Sequence, residues 1–180
     1  MEPQQHHPLA YFITFHTYGT WLPGDQRGTV TRDQNAYGEP WRGRCDALME
    51  RSRKLLQNPP VELEPEERIL VLEAFEQVCR HRAWTLHAAH VRSNHVHVVV
   101  TADTLPGRVL GDLKAWATRR VVEAGYRPRG TRLWVRQGSA RHLWRRTAVD
   151  AACFYTLHEQ GDIVPGTLSP APSRRFRSPA

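Results

Sequence analysis

Short runs of apolar, aromatic and β-branched residues predict the strands of this chain. The run Tyr11-Phe12-Ile13-Thr14-Phe15-His16-Thr17 is typical of a first strand. The other predicted strands lie at Trp84 to Val91, at His95 to Val100, and on either side of Gly138-Ser139 within 132–145. The turn Arg92-Ser93-Asn94 is short enough to join its two flanking strands as a tight hairpin.

Apolar positions spaced three and four apart predict the helices. The clearest helix begins at Pro65, where Glu66 and Glu67 in the first turn favour the helix dipole. Its apolar stripe is Val71, Leu72, Phe75, Val78 and Cys79. A second long helix runs from near Pro106 to Gly125 with Val109, Leu113, Trp116 and Val121 near one side, and residues 44–57 predict a short basic helix.

The last predicted helix carries its own start and stop signals. Thr147 and Asp150 have the spacing of a capping box, and Gly161 is placed to end the helix. The resulting order of elements predicts an α+β domain with a ferredoxin-like antiparallel sheet and two helices on one face. We expect a flexible N-terminus at 1–9, one domain at 10–161 with an irregular insertion at about 20–60, and a disordered basic tail at 162–180.

The charge balance adds a class of partner to this picture. The 180 residues include 25 Lys and Arg against 18 Asp and Glu, a formal net charge of +7. Such an excess favours a polyanionic partner, most often nucleic acid, although a merely basic surface would give the same count. Cys45, Cys79 and Cys153 are widely spaced and odd in number, which predicts reduced thiols in a cytoplasmic protein. No stretch reaches membrane-spanning length.

The third predicted strand carries the candidate chemistry. Because side chains alternate across a strand, His95 and His97 lie on one face and the valines 96, 98 and 100 on the other. The valine face can pack on the core. Two imidazoles one strand repeat apart can bind one metal ion, but two core or exposed histidines would give the same pattern.

The last helix presents two further candidates. Tyr155 and Glu159 are four residues apart and therefore neighbours on one helix face. A functional interpretation makes Glu159 the third metal ligand and Tyr155 a nucleophile, leaving coordination positions for substrate. A partly exposed tyrosine and a solvated glutamate are the plainer interpretation.

A basic and aromatic segment lies between these elements. From Tyr126 to Arg146 the chain has no acidic residue. Its charges are a candidate surface for phosphates, or only a solvated face. We expect Trp134 and Trp144 in the core, because both lie on predicted strands. The arginines that we expect to contact nucleic acid are Arg136, Arg141, Arg145 and Arg146.

The motif Ser93-Asn94-His95-Val96-His97-Val98-Val99 resembles the Asn-His-hydrophobic-His signature of single-tyrosine HUH transposases. Within these, the chain is most similar to the REP-associated tyrosine transposase branch, over roughly residues 10–161. The stretch from Gly19 to Asp25, the Asn58-Pro59-Pro60 stop and the Tyr155 helix also look like family features.

The resemblance implies a ferredoxin-like HUH nuclease whose tyrosine-bearing helix lies at the histidine face. By it, His95 and His97 bind Mg²⁺ or Mn²⁺, Glu159 stands at a polar third-ligand position, and Tyr155 forms a 5′-phosphotyrosine. The helix expected to approach DNA carries Lys114, Arg119 and Arg120.

The expected function is therefore strand transfer on single-stranded or hairpin DNA by a monomer or homodimer. We place this protein in a bacterial-type cytoplasm, associated with the nucleoid. The alternatives are a domesticated module that binds single-stranded nucleic acid without cutting it, and a replication or plasmid-transfer initiator.

Overall fold

The computed structural model describes residues 7–25, 44–160 and 167–168. Its elements, in chain order, are β1 (Ala10–His16), α1 (Asp46–Lys54), α2 (Pro65–Arg82), β2 (Thr85–Val91), β3 (His95–Thr101), α3 (Pro106–Glu123), β4 (Ser139–Leu143), α4 (Arg146–His158) and β5 (Thr167–Leu168). Residues 26–43 of the predicted insertion, residues 1–6 of the predicted N-terminal tail and all of the predicted C-terminal tail except Thr167–Leu168 lie outside the described residues.

The five strands form one sheet in the order β4-β1-β3-β2-β5, and every neighbouring pair is antiparallel. Helix α2 lies between β1 and β2 in the chain, and α3 lies between β3 and β4. The order 4-1-3-2 of the first four strands, with these two crossover helices, is the ferredoxin-like arrangement. The predicted α+β fold class is therefore confirmed, and β3 is the central strand.

The main core lies on the valine face of β3. The side chains of Val96, Val98 and Val100 are fully buried there and pack with apolar residues of α2 and α3. The residues that these helices contribute are Val71, Ala74, Phe75, Val78, Cys79, Val109, Leu113, Ala117 and Val121. The apolar stripes predicted for these two helices thus cover the predicted valine face of β3. This burial removes the valines from water, which stabilises the fold.

A second and smaller core lies on the opposite face. Helix α4 packs there through Val149, Ala152 and Leu157, against Val99 of β3 and Leu143 of β4. In the part of the chain that the structure describes, these contacts cover only one end of that face. The other end carries His95 and His97 and is left for the candidate site.

A buried ion pair holds the start of α2. Glu67 is 1% exposed, and its carboxylate accepts hydrogen bonds from Nε and Nη2 of Arg127 at 2.6 and 2.8 Å. The same carboxylate accepts the backbone N–H of Glu64, so Glu64 and Glu67 form a capping box ahead of Pro65. Arg127 therefore serves the fold, although it belongs to the arginine-rich segment.

The start of α4 differs from its prediction. The helix begins at Arg146 after the N-cap residue Arg145, which makes no side-chain cap hydrogen bond. Thr147 is already inside the helix, and Asp150 instead pairs with Arg146 at 3.3 Å on the surface. The capping-box prediction is wrong because an exposed i, i+4 ion pair accounts for the acidic residue.

Two further predictions need correction. Of the two strands expected within 132–145 only β4 forms; the preceding segment is irregular except for a bridge between Thr17 and Trp134. Thr167–Leu168, in the segment predicted to be disordered, form β5 beside Ala89 and His90. A two-residue strand is too short to leave a periodic signal in the sequence.

The remaining predictions concern the cysteines and membranes. All three cysteines are unpaired, and Cys79 is buried in the core, where burial raises the pKa of its thiol to about 12. In the part of the chain that the structure describes, no helix is long and apolar enough to cross a membrane.

The Glu67–Arg127 pair makes a stability prediction. We expect Arg127→Met to lower the free energy of unfolding by about 3 kcal/mol, because it leaves a buried carboxylate without its cation. Arg129→Met is the matched control, since Arg129 is exposed two residues away, and should change stability by less than about 0.5 kcal/mol. Urea unfolding measures both, and equal costs would show that the pair does not stabilise the fold.

Candidate metal and tyrosine site

The two histidines lie side by side at the open end of the α4 face. The ring centroids of His95 and His97 are 5.0 Å apart, with the ring planes at 83°. In the register of the sheet, His16 of β1 lies opposite His95, and Thr14 lies opposite His97. The predicted separation of imidazoles and valines onto two faces is observed.

Hydrogen bonds orient both imidazoles. The Nδ1 of His95 lies 2.7 Å from Oδ1 of Asn94, and an amide oxygen accepts, so Nδ1 carries the proton and Nε2 the lone pair. The Nδ1 of His97 lies 2.9 Å from Oγ1 of Thr14, a hydroxyl that can accept in the same way. Metal-binding histidines are held by such partners on the ring nitrogen that does not bind the metal.

Hydrogen bonds from the segment after β1 hold the turn that contains Asn94. The carbonyl of Asn94 accepts the backbone N–H of Thr17 at 3.0 Å and the hydroxyls of Thr17 and Thr20 at 3.2 and 3.3 Å. The carbonyl of Ser93 accepts the N–H of Leu63 at 2.7 Å. Part of the Gly19 to Asp25 motif therefore has a structural task, which is to fix the residue that orients His95.

Burial keeps His97 neutral. Desolvation lowers the pKa of His97 to about 3, and the neighbouring imidazoles of His95, His90 and His16 act in the same direction. The ring therefore retains its lone pair at neutral pH, as metal binding requires. Two adjacent and oriented imidazoles, of which His97 is kept neutral by burial, fit a divalent ion.

Tyr155 lies against this pair. Its ring centroid is 5.8 Å from that of His97 and 5.9 Å from that of Phe12, in both cases edge to face. The side chain is 39% exposed, so the phenol is at the boundary between the small core under α4 and the open end of the face. Helix α4 therefore brings the predicted nucleophile and the predicted metal-binding histidines together within one chain.

The third position of the site has two candidates. Glu159 is exposed after the last residue of α4, and the next residue, Gln160, is half-buried. The side chain of Gln160 acts on the pKa of His97 in the direction opposite to burial. Among the described residues, no three His, Cys, Asp or Glu side chains are grouped so that they could hold a metal ion. Glu159 as third ligand stays a prediction, and Gln160, whose side chain acts on the pKa of His97, is the second candidate.

His90 connects the site to the tyrosine helix. This residue lies opposite His97 on β2 and is fully buried. Its Nδ1 donates to the carbonyl of Thr156, 3.0 Å away in the last turn of α4, where carbonyls lack helical partners. This hydrogen bond ties Thr156, the residue after Tyr155, to β2. It therefore helps to position the Tyr155 phenol relative to the sheet.

The predicted DNA-binding residues are distributed over the molecule rather than gathered at the site. Arg141 is close to it, with its guanidinium 5.6 Å from the ring centroid of Phe12. Arg136 is exposed on the segment before β4, and Arg145 and Arg146 are exposed at the start of α4. Their contact with DNA stays a prediction.

Lys114 has a structural role. Its Nζ donates to the carbonyls of Val135, Arg136 and Gln137 at 2.9, 3.4 and 3.0 Å, and so holds the segment before β4. Burial lowers the pKa of this amine to about 8. Since its hydrogen bonds are made within the protein, its geometry gives no support to a DNA contact.

The two arginines of α3 lie on the layer that covers the valine face. Arg120 pairs with Glu73 of α2 at 3.0 Å, and the guanidinium of Arg119 lies 5.7 Å from the ring centroid of Trp116. This layer is across the sheet from the imidazoles. Nucleic acid bound at the two histidines would have to pass around the edge of the sheet to reach Arg119 and Arg120.

The two tryptophans expected in the core differ. Trp134 is buried and packs on Phe15 with ring centroids 5.0 Å apart, as predicted. Trp144 is 55% exposed and stacks on His142, so its prediction is wrong. The residue follows the end of β4, where the alternation of the strand no longer sets which side it faces.

Several residues of the site were not found from the sequence. Thr14 and His90 are set by the pairing of strands distant in the chain, which leaves no local signal. Asn94 belongs to the Asn-His-Val-His motif, but the motif did not reveal that its side chain contacts His95 directly. The sequence signal for Gln160 is weak. It is a polar side chain one residue after Glu159, the predicted third ligand.

The chain was compared with known proteins. No family model matches it, and no curated protein matches it. Among solved structures it is similar to a REP-associated tyrosine transposase bound to a REP hairpin, at 12% identity and a TM-score of 0.46, covering 85% of this chain and 67% of the other. It is also similar to a candidate transposase from Deinococcus radiodurans R1, at 13% identity and a TM-score of 0.42, covering 81% of this chain and 86% of the other.

The first of these structures comes from the family that the sequence resembles. At such identities and TM-scores, the likeness carries no conclusion about residues or activity. Those conclusions rest on the geometry described above.

The His90 hydrogen bond makes a prediction about the last turn of α4. We expect His90→Leu to lower the free energy of unfolding by about 1–3 kcal/mol, because a buried carbonyl loses its donor. Amide hydrogen exchange at Glu159, whose N–H bonds to the Tyr155 carbonyl, should become faster. His87→Leu is the control on the same strand, since His87 bonds to Thr101 rather than to α4. Unchanged exchange in His90→Leu would contradict this role.

Proposed function

We propose that this protein is a DNA strand transferase of the HUH type, with Tyr155 as nucleophile and His95 and His97 as metal-binding residues. The single observation that carries the proposal is the contact of the Tyr155 ring with His97, 5.8 Å between centroids, at the open end of the sheet. A nucleophile and a pair of adjacent, oriented imidazoles are the parts that such a reaction needs. The Asn-His-Val-His motif supports the same assignment.

The reaction balances without an outside energy source. The Oη of Tyr155 forms a bond to phosphorus as the bond from phosphorus to the 3′-oxygen breaks. The phenol proton is lost to solvent, and the leaving 3′-oxygen takes up a proton. A 5′-phosphotyrosine and a free 3′-hydroxyl remain, so attack by another 3′-hydroxyl can rejoin a strand and release the tyrosine.

The chain supplies positioning and charge for this step. His95 and His97, with Gln160 or Glu159, would hold Mg²⁺ or Mn²⁺, which when bound supplies Lewis-acid stabilisation of charge at the phosphate. Asn94 and Thr14 each hold one ring nitrogen of these imidazoles and so orient the rings. His90 keeps the tyrosine helix at its height through Thr156.

The proposed substrate is single-stranded DNA beside a hairpin. The chain has a net charge of +7, and the guanidinium of Arg141 lies next to the candidate site over Phe12. Exposed cations bind phosphates, and exposed aromatic rings such as Trp144 can stack on unpaired bases. The preference for hairpins rests on the family resemblance of the motif.

A second function is favoured by one observation. Among the described residues, no three His, Cys, Asp or Glu side chains form a metal-binding group. A module that binds single-stranded nucleic acid without cutting it needs no such group. Salt-dependent binding without cleavage in Mg²⁺ or Mn²⁺ would establish this alternative.

Covalent capture of DNA tests the nucleophile. We expect the wild type with Mn²⁺ and a hairpin-bearing single strand to give a protein–DNA adduct that survives a denaturing gel. Tyr155→Phe should bind the same oligonucleotide within about twofold but give no adduct, because the attacking oxygen is absent. Tyr126→Phe is the control, since Tyr126 is also an exposed tyrosine, at 47%, and should react like the wild type. An adduct from Tyr155→Phe would remove Tyr155 from the reaction.

Calorimetric titration with Mn²⁺ tests the metal site. We expect His97→Ala to abolish binding, and loss of the true third ligand to weaken it by at least about tenfold, the scale seen even for outer partners of metal ligands. Comparison of Gln160→Ala with Glu159→Gln distinguishes the two candidates, because only one should weaken Mn²⁺ binding. Mn²⁺ binding that is unchanged in His95→Ala and His97→Ala would refute a metal at the imidazoles.

A further inference from the structure

An arginine outside the predicted DNA-binding set lies in the row of the imidazoles. The backbone N–H of Arg92 donates to the carbonyl of His95 at 2.9 Å, which places the two residues opposite each other at the end of the β2–β3 hairpin. His90, two residues earlier on β2, lies opposite His97. Because strand side chains alternate, Arg92 and His90 are on the imidazole face. Side chains opposite each other on one face have Cβ atoms only about 4.5–5.5 Å apart.

Among the described residues, Arg92 has cations near it and no ion-pair partner. The residue is half-buried, and among the described residues its guanidinium makes no ion pair or side-chain hydrogen bond. Two of the other half-buried arginines are paired, Arg127 with Glu67 and Arg120 with Glu73, whereas the Nε of half-buried Arg68 has no hydrogen-bond partner among the described residues. After desolvation, the charges of Arg92 and Arg68 are further causes that lower the pKa of buried His90.

An unpaired and partly desolvated cation beside two imidazoles is unfavourable by itself. An anion at the same place would remove the cost, because it would replace the lost solvation and pair the charge. A guanidinium binds phosphate oxygens through two parallel N–H groups. The open end of the face is where the proposed function requires a phosphodiester.

We propose that Arg92 is a phosphate-binding residue of the site, which contacts the DNA backbone at a phosphate next to the one that Tyr155 attacks. This proposal rests on the proposed function, since it takes the DNA to lie along the row of His16, His95 and Arg92. Arg92 then fixes the strand on the β2 side of the imidazoles. Arg141 lies on the other side, over Phe12 of β1.

The test compares Arg92→Gln with a matched loss of charge elsewhere. Arg80 is exposed in the last turn of α2, on the layer across the sheet, so Arg80→Gln removes the same charge away from the site. Both are made in the Tyr155→Phe background, so that binding is measured without cleavage. The probe is a hairpin-bearing single strand, bound at several salt concentrations.

We expect Arg92→Gln to weaken binding about tenfold, as a charge-assisted hydrogen bond does, and Arg80→Gln to leave it within about twofold. The slope of log affinity against log salt should become shallower by about 0.7, the value for one contact with a single strand. Arg92→Lys should restore the slope but not the full affinity, because an ammonium lacks the two-pronged geometry. This variant also decides the outcome if Arg92→Gln is unstable.

A methylphosphonate scan locates the contact. Replacing one phosphate at a time by a neutral methylphosphonate should reveal a position, next to the scissile phosphate, whose loss weakens binding to the Arg92-containing protein. The same replacement should have no further effect on Arg92→Gln. Equal sensitivity of both proteins at every position, with equal affinity and slope, would overturn the role of Arg92.

That failure is distinguishable from failure of the proposed function. An adduct formed by the wild type, together with an inert Arg92→Gln substitution, would retain the strand transferase and reject the arginine. A wild type that gives no adduct would reject the transferase. The methylphosphonate scan would then still report whether Arg92 binds DNA backbone.

Discussion

The pleat of β3 is the constraint on which the rest of the structure depends. Successive side chains of this strand face opposite ways, so one strand supplies fully buried valines to the main core and two imidazoles to the other face. A shift of one residue in pairing would exchange the two sets. The strand is central, with β1 and β2 fixing its register from both sides. The stability of the valine face thereby holds the imidazoles in place.

The partial cover of the imidazole face turns this sheet into a site. Val149, Ala152 and Leu157 of α4 close one end, and the last turn of the helix brings Tyr155 to the edge of the cover. His97 is already buried, and a longer apolar stripe on α4 would have covered the half-buried His95 as well. A shorter one would have left the phenol without a fixed position. The same helix therefore stabilises the domain and positions the candidate nucleophile.

Much of this architecture was predictable because its signals are local. The alternation of His95 and His97 with valines, the stripe of α2 and the tight hairpin are each contained in a few consecutive residues, and the structure has all of them. Features that join distant parts of the chain were not predictable. The contact of Thr14 with His97 depends on the register of β1, and that of His90 with Thr156 depends on how α4 lies on the sheet. Charge alone did not distinguish arginines that serve the fold, such as Arg127, from those at the site.

Lys114, fixed beneath three carbonyls of the segment before β4, has a consequence for how this protein's charge can be regulated. The chain has only one other lysine, Lys54 of α1, so nearly all of its positive side chains are guanidinium groups. Guanidinium groups keep their charge across the physiological range and are not substrates for lysine acetylation. Acylating enzymes would therefore find one accessible amine on α1 and could remove little of the basic surface. The positive charge of this protein is therefore largely insensitive to lysine acetylation.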